Sequence, residues 1–444
     1  MKASYYNLSY IYEDYYVLLN TKTKNIIRFP REYQKLIDDI LDKTAIVDNK
    51  ELMEILAREK FLIPDNINEL DDLHRQCYEL VNSETLYLTI MPTYTCNLAC
   101  VYCFQHHIPG AIMNATTVKS IELAVAKKIS KYKALYVEWF GGEPLVARQQ
   151  VISLNKKFKE ICKEAKIPYA ARITTNGYFL DINTFEQLFK SNCFVYYISL
   201  DGGKGLHDKQ RPCKNGTGSY EVIINNLLQI KNHIKSKNFR VEIRVNCTGA
   251  SYDEFEGFLS NFEKKFGADN RFSLIIETVN DWSDRTESMK KDGQILKRSD
   301  LNKFAIEAHK YNINLANADK HLLDTEICQA AKRNAYSIFY DGTIQKCQMA
   351  LESKEFCKSN IIGRVTEEGE FAIEENVESL WVNDSIPKAC EDCKLLPLCF
   401  GKKCVYLKEI QGQECNEMEK DFLNSFLVYD TSKLDNIPLF TIND

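Results

Sequence analysis

The 444-residue chain contains no run of 18 apolar residues, so nothing in it reads as a membrane-spanning helix. Its start, MKASYYNLSY, lacks the apolar h-region of a secretory signal. Neither charge sign dominates: 57 basic residues face 62 acidic ones, for a net charge of -5. That removes the basic footprint expected of a protein that grips DNA or RNA. Histidine is scarce, seven in all, and forms no ligand array. G-x-S-x-G, Walker and zincin patterns are also missing. The expectation is a cytoplasmic protein that binds neither membrane nor nucleic acid.

Apolar residues make up 45% and charged residues 27%, an ordinary globular composition. The length suggests about three domains and a core that needs no disulfides. Cysteine is the departure, with 16 residues. A reducing compartment disfavours structural disulfides, so clustered thiols point to metal binding or chemistry. Three lie within Cys96–Cys103 and eight between Cys328 and Cys415.

Residues 1–82 read as a small α/β module. YYVLLN and IIRF flank a polar turn, a hairpin signal, and three helical patterns follow: Tyr33 to Leu41, one from Leu52 stopped by Pro64, and Ile67 to Leu80. Such a winged-helix-like module offers a strand edge that can accept an extended peptide; a packing cap on the body is the other reading. Residues 83–285 alternate strands (LYLTIM, LYVEWF, AARITT, VYYISL, VEIRVN, FSLIIETV) with helical stretches. Six βα units predict a parallel sheet, open or closed into a barrel, with its site at the C-terminal strand ends. The loops PTYTCNLACVYC, GGEP and SLDGG leave those ends and are expected to converge. Residues 286–325 are a charged connector with a helix at Leu301–Tyr311. Residues 326–430 turn to short strands, glycine turns and cysteines, a texture that metal ligation would hold. Residues 431–444 read as a loosely held tail.

Cys96, Cys100 and Cys103 form C-x3-C-x2-C after the first barrel strand. Zinc would want a fourth protein ligand, whereas three thiolates suit three corners of a [4Fe-4S] cube with one iron left open. A zinc loop with a borrowed ligand stays open on spacing alone. His106 and His107 follow the loop and read as solvated residues or cavity lining.

CNLACVYC resembles the signature of radical S-adenosylmethionine (radical SAM) enzymes, in which SAM chelates the open iron. By that resemblance Cys96, Cys100 and Cys103 carry the catalytic cluster and Tyr102 lies beside the adenine. Gly141, Gly142 and Glu143 of GGEP match the loop that binds the SAM amino group. Asn176, Ser199 and Arg211 sit where later SAM contacts fall. The C-terminal cysteines resemble the SPASM extension, which binds two auxiliary [4Fe-4S] clusters. The pattern is Cys328, thirteen residues, Gly342, four residues, Cys347, then Cys390-x2-Cys393-x5-Cys399-x4-Cys404 and Cys415. The family usually has three residues before the fourth cysteine of that run, and FGKK gives four here. Family precedent gives Cys328, Cys347 and Cys404 to the first auxiliary cluster, and Cys390, Cys393, Cys399 and Cys415 to the second. The first is one ligand short, and either Cys357 or a substrate thiolate completes it. Cys77, Cys162, Cys193, Cys213 and Cys247 occur singly and read as apolar fillers.

The resemblance implies a partial (β/α)6 TIM-like radical SAM barrel with a cysteine-rich SPASM iron–sulfur domain, three [4Fe-4S] clusters and SAM. Its implied partners are a ribosomally made precursor peptide, leader plus cysteine-containing core, and an electron donor such as flavodoxin or ferredoxin. The implied reaction is thioether crosslinking through a 5′-deoxyadenosyl radical. Anaerobic sulfatase maturation, oxidising a cysteine or serine to formylglycine, is the alternative, with other crosslinking or epimerising SPASM chemistry beside it. In the sulfatase-maturing family the general base is an Asp directly after the cysteine of G-x4-C; here Gln348 stands there. A non-enzymatic metal-binding scaffold would leave GGEP and Tyr102 unexplained.

Overall fold

The computed structural model describes residues 1–44, 49–105, 109–279, 286–297, 300–316, 325, 327–348, 360–402 and 437–441. His106, His107, Cys357, Cys404 and Cys415 lie outside the described residues. The chain forms two compact units that interleave in sequence. One comprises Met1–Val81, Ala318–Cys328 and Asp384–Asp444, and the other Asn82–Asn317 and Gln329–Asn383.

The first unit begins with β1 (Lys2–Ala3), β2 (Asn7–Tyr12), β3 (Tyr15–Asn20) and β4 (Ile26–Pro30). Then come α1 (Gln34–Leu41), α2 (Lys50–Arg58), β5 (Leu62–Ile63) and α3 (Glu69–Val81). The hairpin is β3 against β4, in register from Tyr15↔Pro30 to Leu19↔Ile26. Its turn is built by Asn20, whose Oδ1 accepts the N–H groups of Lys22 and Thr23 at 3.0 and 2.9 Å. β2 adds a third antiparallel strand that composition at the polar start concealed. Ile37, Leu52 and Leu56 of the helices bury against Leu18, Ile27 and Phe29, and Asn49 caps α2 through the Leu52 N–H at 2.9 Å. Part of the segment expected to be loose is held: Ile437–Thr441 runs beside β4, with a parallel bridge between Arg28 and Leu439.

The second unit runs β6 (Thr85–Met91), α4 (Ala115–Lys128), β7 (Ala134–Trp139), α5 (Arg148–Ala165), β8 (Tyr169–Thr175), α6 (Ile182–Lys190) and β9 (Cys193–Ser199). It continues with α7 (Lys204–Gln210), α8 (Tyr220–His233), β10 (Arg240–Cys247), α9 (Phe255–Phe262) and β11 (Phe272–Thr278). All six strands expected from the sequence are present and pair in parallel in chain order. Among the described residues the sheet does not close. Beyond β6 lie β12 (Ala335–Phe339), parallel to it, and the antiparallel β13 (Thr343–Gln345), β14 (Ile361–Val365) and β15 (Phe371–Ile373), making ten strands. The architecture is α/β, a partial (β/α)6 barrel with an added antiparallel edge. The short strands after Cys328 are thus partly sheet, which their irregular sequence did not announce.

Alternation sorts the two faces of the sheet. Leu88, Val137, Ile173, Ile198, Ile243 and Leu274 are fully buried on one face. The other carries Glu138, Arg172 and Thr174, joined by Arg172 Nη2 to Glu138 Oε2 at 2.7 Å and Thr174 Oγ1 to Glu138 Oε1 at 3.3 Å. Closed barrels fill this face with branched aliphatics; here it carries a polar, charged network. Asn155 on α5 braces the apolar side. Its Oδ1 accepts from Trp139 Nε1 at 2.9 Å and from the Tyr169 hydroxyl at 2.6 Å, and its Nδ2 donates to Ser191 O at 2.8 Å.

Candidate cofactor site

The cysteine loop leaves β6 and is stitched to the segment after α7. Ala99 N donates to Pro212 O at 2.8 Å, Val101 N to Gln210 O at 3.0 Å, and Lys214 N to Asn97 O at 2.9 Å. Cys103 N closes a turn on Cys100 O at 3.2 Å. The loop is therefore shaped by backbone hydrogen bonds of the protein itself. Cys96 is buried, and its Sγ accepts the Leu98 N–H at 3.4 Å and the Asn176 side-chain amide at 3.9 Å. Burial pushes the Cys96 thiol up to about 12 and Cys100 up to about 11, the latter opposed by Arg211. Unliganded thiols here carry their protons at neutral pH, so metal loading must release them. Among the described residues no three Cys, His, Asp or Glu side chains converge on one point.

GGEP crosses directly under this loop. Gly141 has φ +123°, and a Cβ there would meet Thr93 O at 2.5 Å; at Gly142 it would meet Thr95 O at 2.6 Å. Only glycine lets the two backbones pass this closely. Gly142 N and Glu143 N donate to Thr93 O and Thr95 O at 3.1 and 3.0 Å. The Glu143 carboxylate is buried and already engaged. It accepts from Leu145 N at 2.9 Å, Thr175 Oγ1 at 2.6 Å and Asn176 N at 2.7 Å. Burial raises its pKa while these hydrogen bonds favour the charged form. Glu143 thus ties the loop after β7 to the end of β8 and fixes Asn176 beside Cys96.

Tyr102 sits in a buried polar knot. Its hydroxyl donates to Asp201 Oδ2 and accepts from Arg211 Nη1 at 2.7 Å and Asn246 Nδ2 at 3.1 Å. Asp201 Oδ1 accepts the Asn246 N–H at 3.0 Å and its side-chain amide at 2.9 Å. Arg211 lies 3.8 Å from Asp201, both nearly inaccessible to solvent. Below the knot, Asp201 N donates to His207 Nδ1 at 3.1 Å, which places the imidazole proton on Nε2, 2.9 Å from Ser219 Oγ. Ser219 Oγ in turn donates to Arg211 O at 2.8 Å. Burial drives the His207 pKa down to about 4, so it is neutral. Ser199 is half-buried at the end of β9, level with Arg244 on β10.

The expected residues therefore meet around one loop: Cys96, Cys100, Cys103, Tyr102, Gly141, Gly142, Glu143, Asn176 and Arg211, with Ser199 at a strand end of the same sheet. Asp201, Asn246 and His207 were not foreseen. Asp201 stood in the SLDGG loop, but a turn aspartate carries no distinguishing signal. Three buried polar atoms beside the loop find no partner: Asn97 Nδ2, Gln210 Oε1 and Arg211 Nε. Orphans of this kind mark a place for a polar ligand. Three thiols and unsatisfied polar atoms beside them fit a [4Fe-4S] cluster with SAM.

The C-terminal cysteines are placed one by one. Gly342, at φ +84°, turns β12 into β13 and leads to Cys347, whose N–H and C=O are both held by the Asn360 amide at 2.8 and 2.7 Å. Cys328 belongs to the other unit. Cys390, Cys393 and Cys399 lie together in short turns, with Cys393 N on Cys390 O at 3.1 Å and Lys402 N on Cys399 O at 2.7 Å. A Cβ on Gly401 would lie 3.0 Å from Cys390 Sγ, so the turn after Cys399 folds back on Cys390.

A parallel α/β sheet with a cysteine loop, a glycine crossing and a polar knot at its C-terminal end defines a class: residues 90–260 match the family model of the Radical SAM superfamily and form a radical SAM domain. Particular relatives sharpen it. The serine-type anaerobic sulfatase-maturating enzyme of Klebsiella pneumoniae is 23% identical over 218 residues, 43% of this chain and 54% of that protein. The cysteine-type enzyme of Clostridium perfringens is 22% identical over 383 residues, 77% of this chain and 95% of that one. The solved structure of native anSMEcpe with bound AdoMet and Cp18Cys peptide shares the fold at a TM-score of 0.58 and 20% identity, covering 80% of this chain and 98% of that one. The chain spans about half the length of the Klebsiella protein.

Proposed function

We propose that this protein is a radical SAM enzyme that modifies a ribosomally made, cysteine-containing precursor peptide by sulfur-to-carbon crosslinking. In this reading residues 1–82 bind the leader, 83–285 form the catalytic barrel, 286–325 connect, and 326–430 hold two auxiliary clusters before the 431–444 segment. A [4Fe-4S] cluster on Cys96, Cys100 and Cys103, reduced by a flavodoxin or ferredoxin, would supply a 5′-deoxyadenosyl radical from SAM. The chain's own part is to hold and orient. Gly141 and Gly142 bring backbone carbonyls to the ligand, Arg211 and Asn97 offer unsatisfied donors, and the Asp201 knot fixes Tyr102. The crosslink joins a C–H and an S–H with loss of two hydrogens, one as a hydrogen atom and the other as a proton plus an electron. Auxiliary clusters on Cys328/Cys347/Cys404 and Cys390/Cys393/Cys399/Cys415 are suited to take that electron. Cys357 or the substrate thiolate fills the open position of the first, since iron accepts soft sulfur ligands readily.

The carrying observation is Gln348, half-buried directly after Cys347, whose amide cannot accept the proton that an Asp takes there in sulfatase-maturing enzymes. Formylglycine formation stands as the second reading because the relatives above bear that name. Mass spectrometry separates them. A precursor peptide treated with enzyme, SAM and reductant should lose two hydrogens together with its free thiol. An aldehyde that reacts with a hydrazine would instead establish formylglycine chemistry.

A further inference from the structure

Helix α8 opens on a serine that does not cap it. Ser219 holds the N-cap position, where a serine hydroxyl ordinarily accepts an N–H of the first helical turn. Its hydroxyl makes no such bond. The N–H groups at the helix start go instead to Asp208 of α7, whose Oδ1 accepts from Ser219 N and Tyr220 N, both at 2.9 Å. The Ser219 hydroxyl is spent elsewhere. It accepts from His207 Nε2 at 2.9 Å and donates to Arg211 O at 2.8 Å. His207 is locked in turn. Its Nδ1 accepts the Asp201 N–H at 3.1 Å, and the Tyr220 ring packs edge-on against it at 5.7 Å. Ser219 and His207 are both wholly buried, so neither bond is shared with solvent. Local rules broken in this way tend to fall at functional sites.

The constraint falls on Arg211, the residue that ends α7. Its N–H donates to His207 O at 2.7 Å and its C=O is held by Ser219, so both main-chain groups are fixed. Pro212 follows and narrows the Arg211 backbone further. The side chain is buried, with Nη1 on the Tyr102 hydroxyl at 2.7 Å and Asp201 at 3.8 Å. Its Nε is buried too and has no partner. A buried donor left open is costly, so this N–H calls for an acceptor. We infer that His207 and Ser219 are positioning residues, which set Arg211 so that its Nε receives the carboxylate of SAM. The inference rests on the SAM reading above and adds two residues that act on the cofactor only through Arg211. Chemistry selects the carboxylate: it is the one anionic group of SAM, whereas the ammonium and sulfonium are cations that a guanidinium repels. An arginine gives up much rotamer freedom when it grips a ligand. Fixing its main chain and one Nη beforehand reduces what binding must still order.

The test reads SAM binding rather than turnover, by isothermal titration of SAM into anaerobically reconstituted full-length protein. Ser219→Ala removes the hydroxyl and leaves the Asp208 bonds to α8 in place. It should weaken SAM binding about tenfold, the scale of one hydrogen bond to a charged group. A merely structural role is separated by a double-variant cycle. Ser219→Ala/Arg211→Met should bind SAM no more weakly than Arg211→Met alone, because the serine acts only through the arginine. Native affinity in Ser219→Ala would overturn the inference, as would the same further loss on the native and Arg211→Met backgrounds. Should Arg211→Met fail to fold, Ser219→Thr decides. With the hydroxyl kept, its affinity should match that of the native chain, and a loss equal to that of Ser219→Ala would overturn the inference. A native chain that binds no SAM would overturn the cofactor reading itself, and that result appears before any substitution is made.

Discussion

Two cysteine regions of the chain are built on different principles. The Cys96–Cys103 loop is fastened by main-chain hydrogen bonds to residues 210–214, by the glycine crossing under Thr93 and Thr95, and by the Asp201 knot around Tyr102. Cys390, Cys393 and Cys399 instead sit half-buried in consecutive tight turns. Outside help comes from single contacts such as Tyr5 hydroxyl to Asp392 O at 2.7 Å and Thr21 Oγ1 to Lys394 O at 2.5 Å. One loop is shaped before its metal arrives, as catalysis demands of a site that must position a cofactor. In the proposed reading, the other would draw part of its folding free energy from ligand bonds.

That contrast is broken or sharpened first by removing thiols. Cys96→Ala/Cys100→Ala/Cys103→Ala should abolish reductive SAM cleavage and remove about a third of the iron on the three-cluster reading, with the melting temperature nearly unchanged. Cys390→Ser/Cys393→Ser/Cys399→Ser should remove a similar share of iron, keep SAM cleavage, and lower the melting temperature clearly. Iron analysis and calorimetry on both variants check this, and equal thermal losses would erase the distinction. The polar knot comes next in size. Asp201→Ala leaves Arg211 buried without its counter-charge, a change that typically costs about 3–5 kcal/mol. Urea unfolding should register it, and isothermal titration should show weaker SAM binding.

A smaller effect lies beneath the knot. An unfolded histidine takes a proton near its ordinary value of about 6.5, but His207 in the fold resists until about 4. The unfolded chain therefore binds more protons between these values. His207 contributes its full stability above about pH 6.5, and loses it as pH falls to about 4, by roughly 3 kcal/mol in all. The stability difference between the native chain and His207→Gln should shrink from pH 7 to pH 5. A difference independent of pH would show that His207 is not held neutral. Least in size, Glu143→Gln turns one amide N–H toward a backbone donor, Asn176 or Leu145. Stability should drop by about 1–3 kcal/mol, the cost of an unmade buried hydrogen bond, as read by the urea midpoint.

Much of this was legible in the residues, for identifiable reasons. Strands β6 to β11 announced themselves because each buries an apolar face, so that alternation or apolar runs survive in LYLTIM and VEIRVN. The cysteine loop and GGEP were legible because thiol spacing and paired glycines are rare and have few uses. β2 was missed because NLSYIY mixes Asn7 and Ser9 with its apolar residues at the polar start of the chain. Strands β12 to β15 were only half-seen, since β12 joins the sheet in parallel beside β6, distant in sequence, and the antiparallel β13 to β15 follow from it. Asp201 and Asn246 were invisible for the same reason: their role exists only where β9 and β10 end beside the Cys96 loop. The apposition of Ile437–Thr441 with β4 joins residues some 400 positions apart, and no local pattern carries that.

The central claim, that the Cys96 loop carries radical SAM chemistry, is tested most directly by reductive cleavage of SAM. Anaerobically reconstituted full-length protein, given SAM and dithionite without peptide, should form 5′-deoxyadenosine and methionine, and the Cys96/Cys100/Cys103 variant should form neither. Tightly bound zinc in place of iron, with no 5′-deoxyadenosine from the unaltered protein, would contradict it.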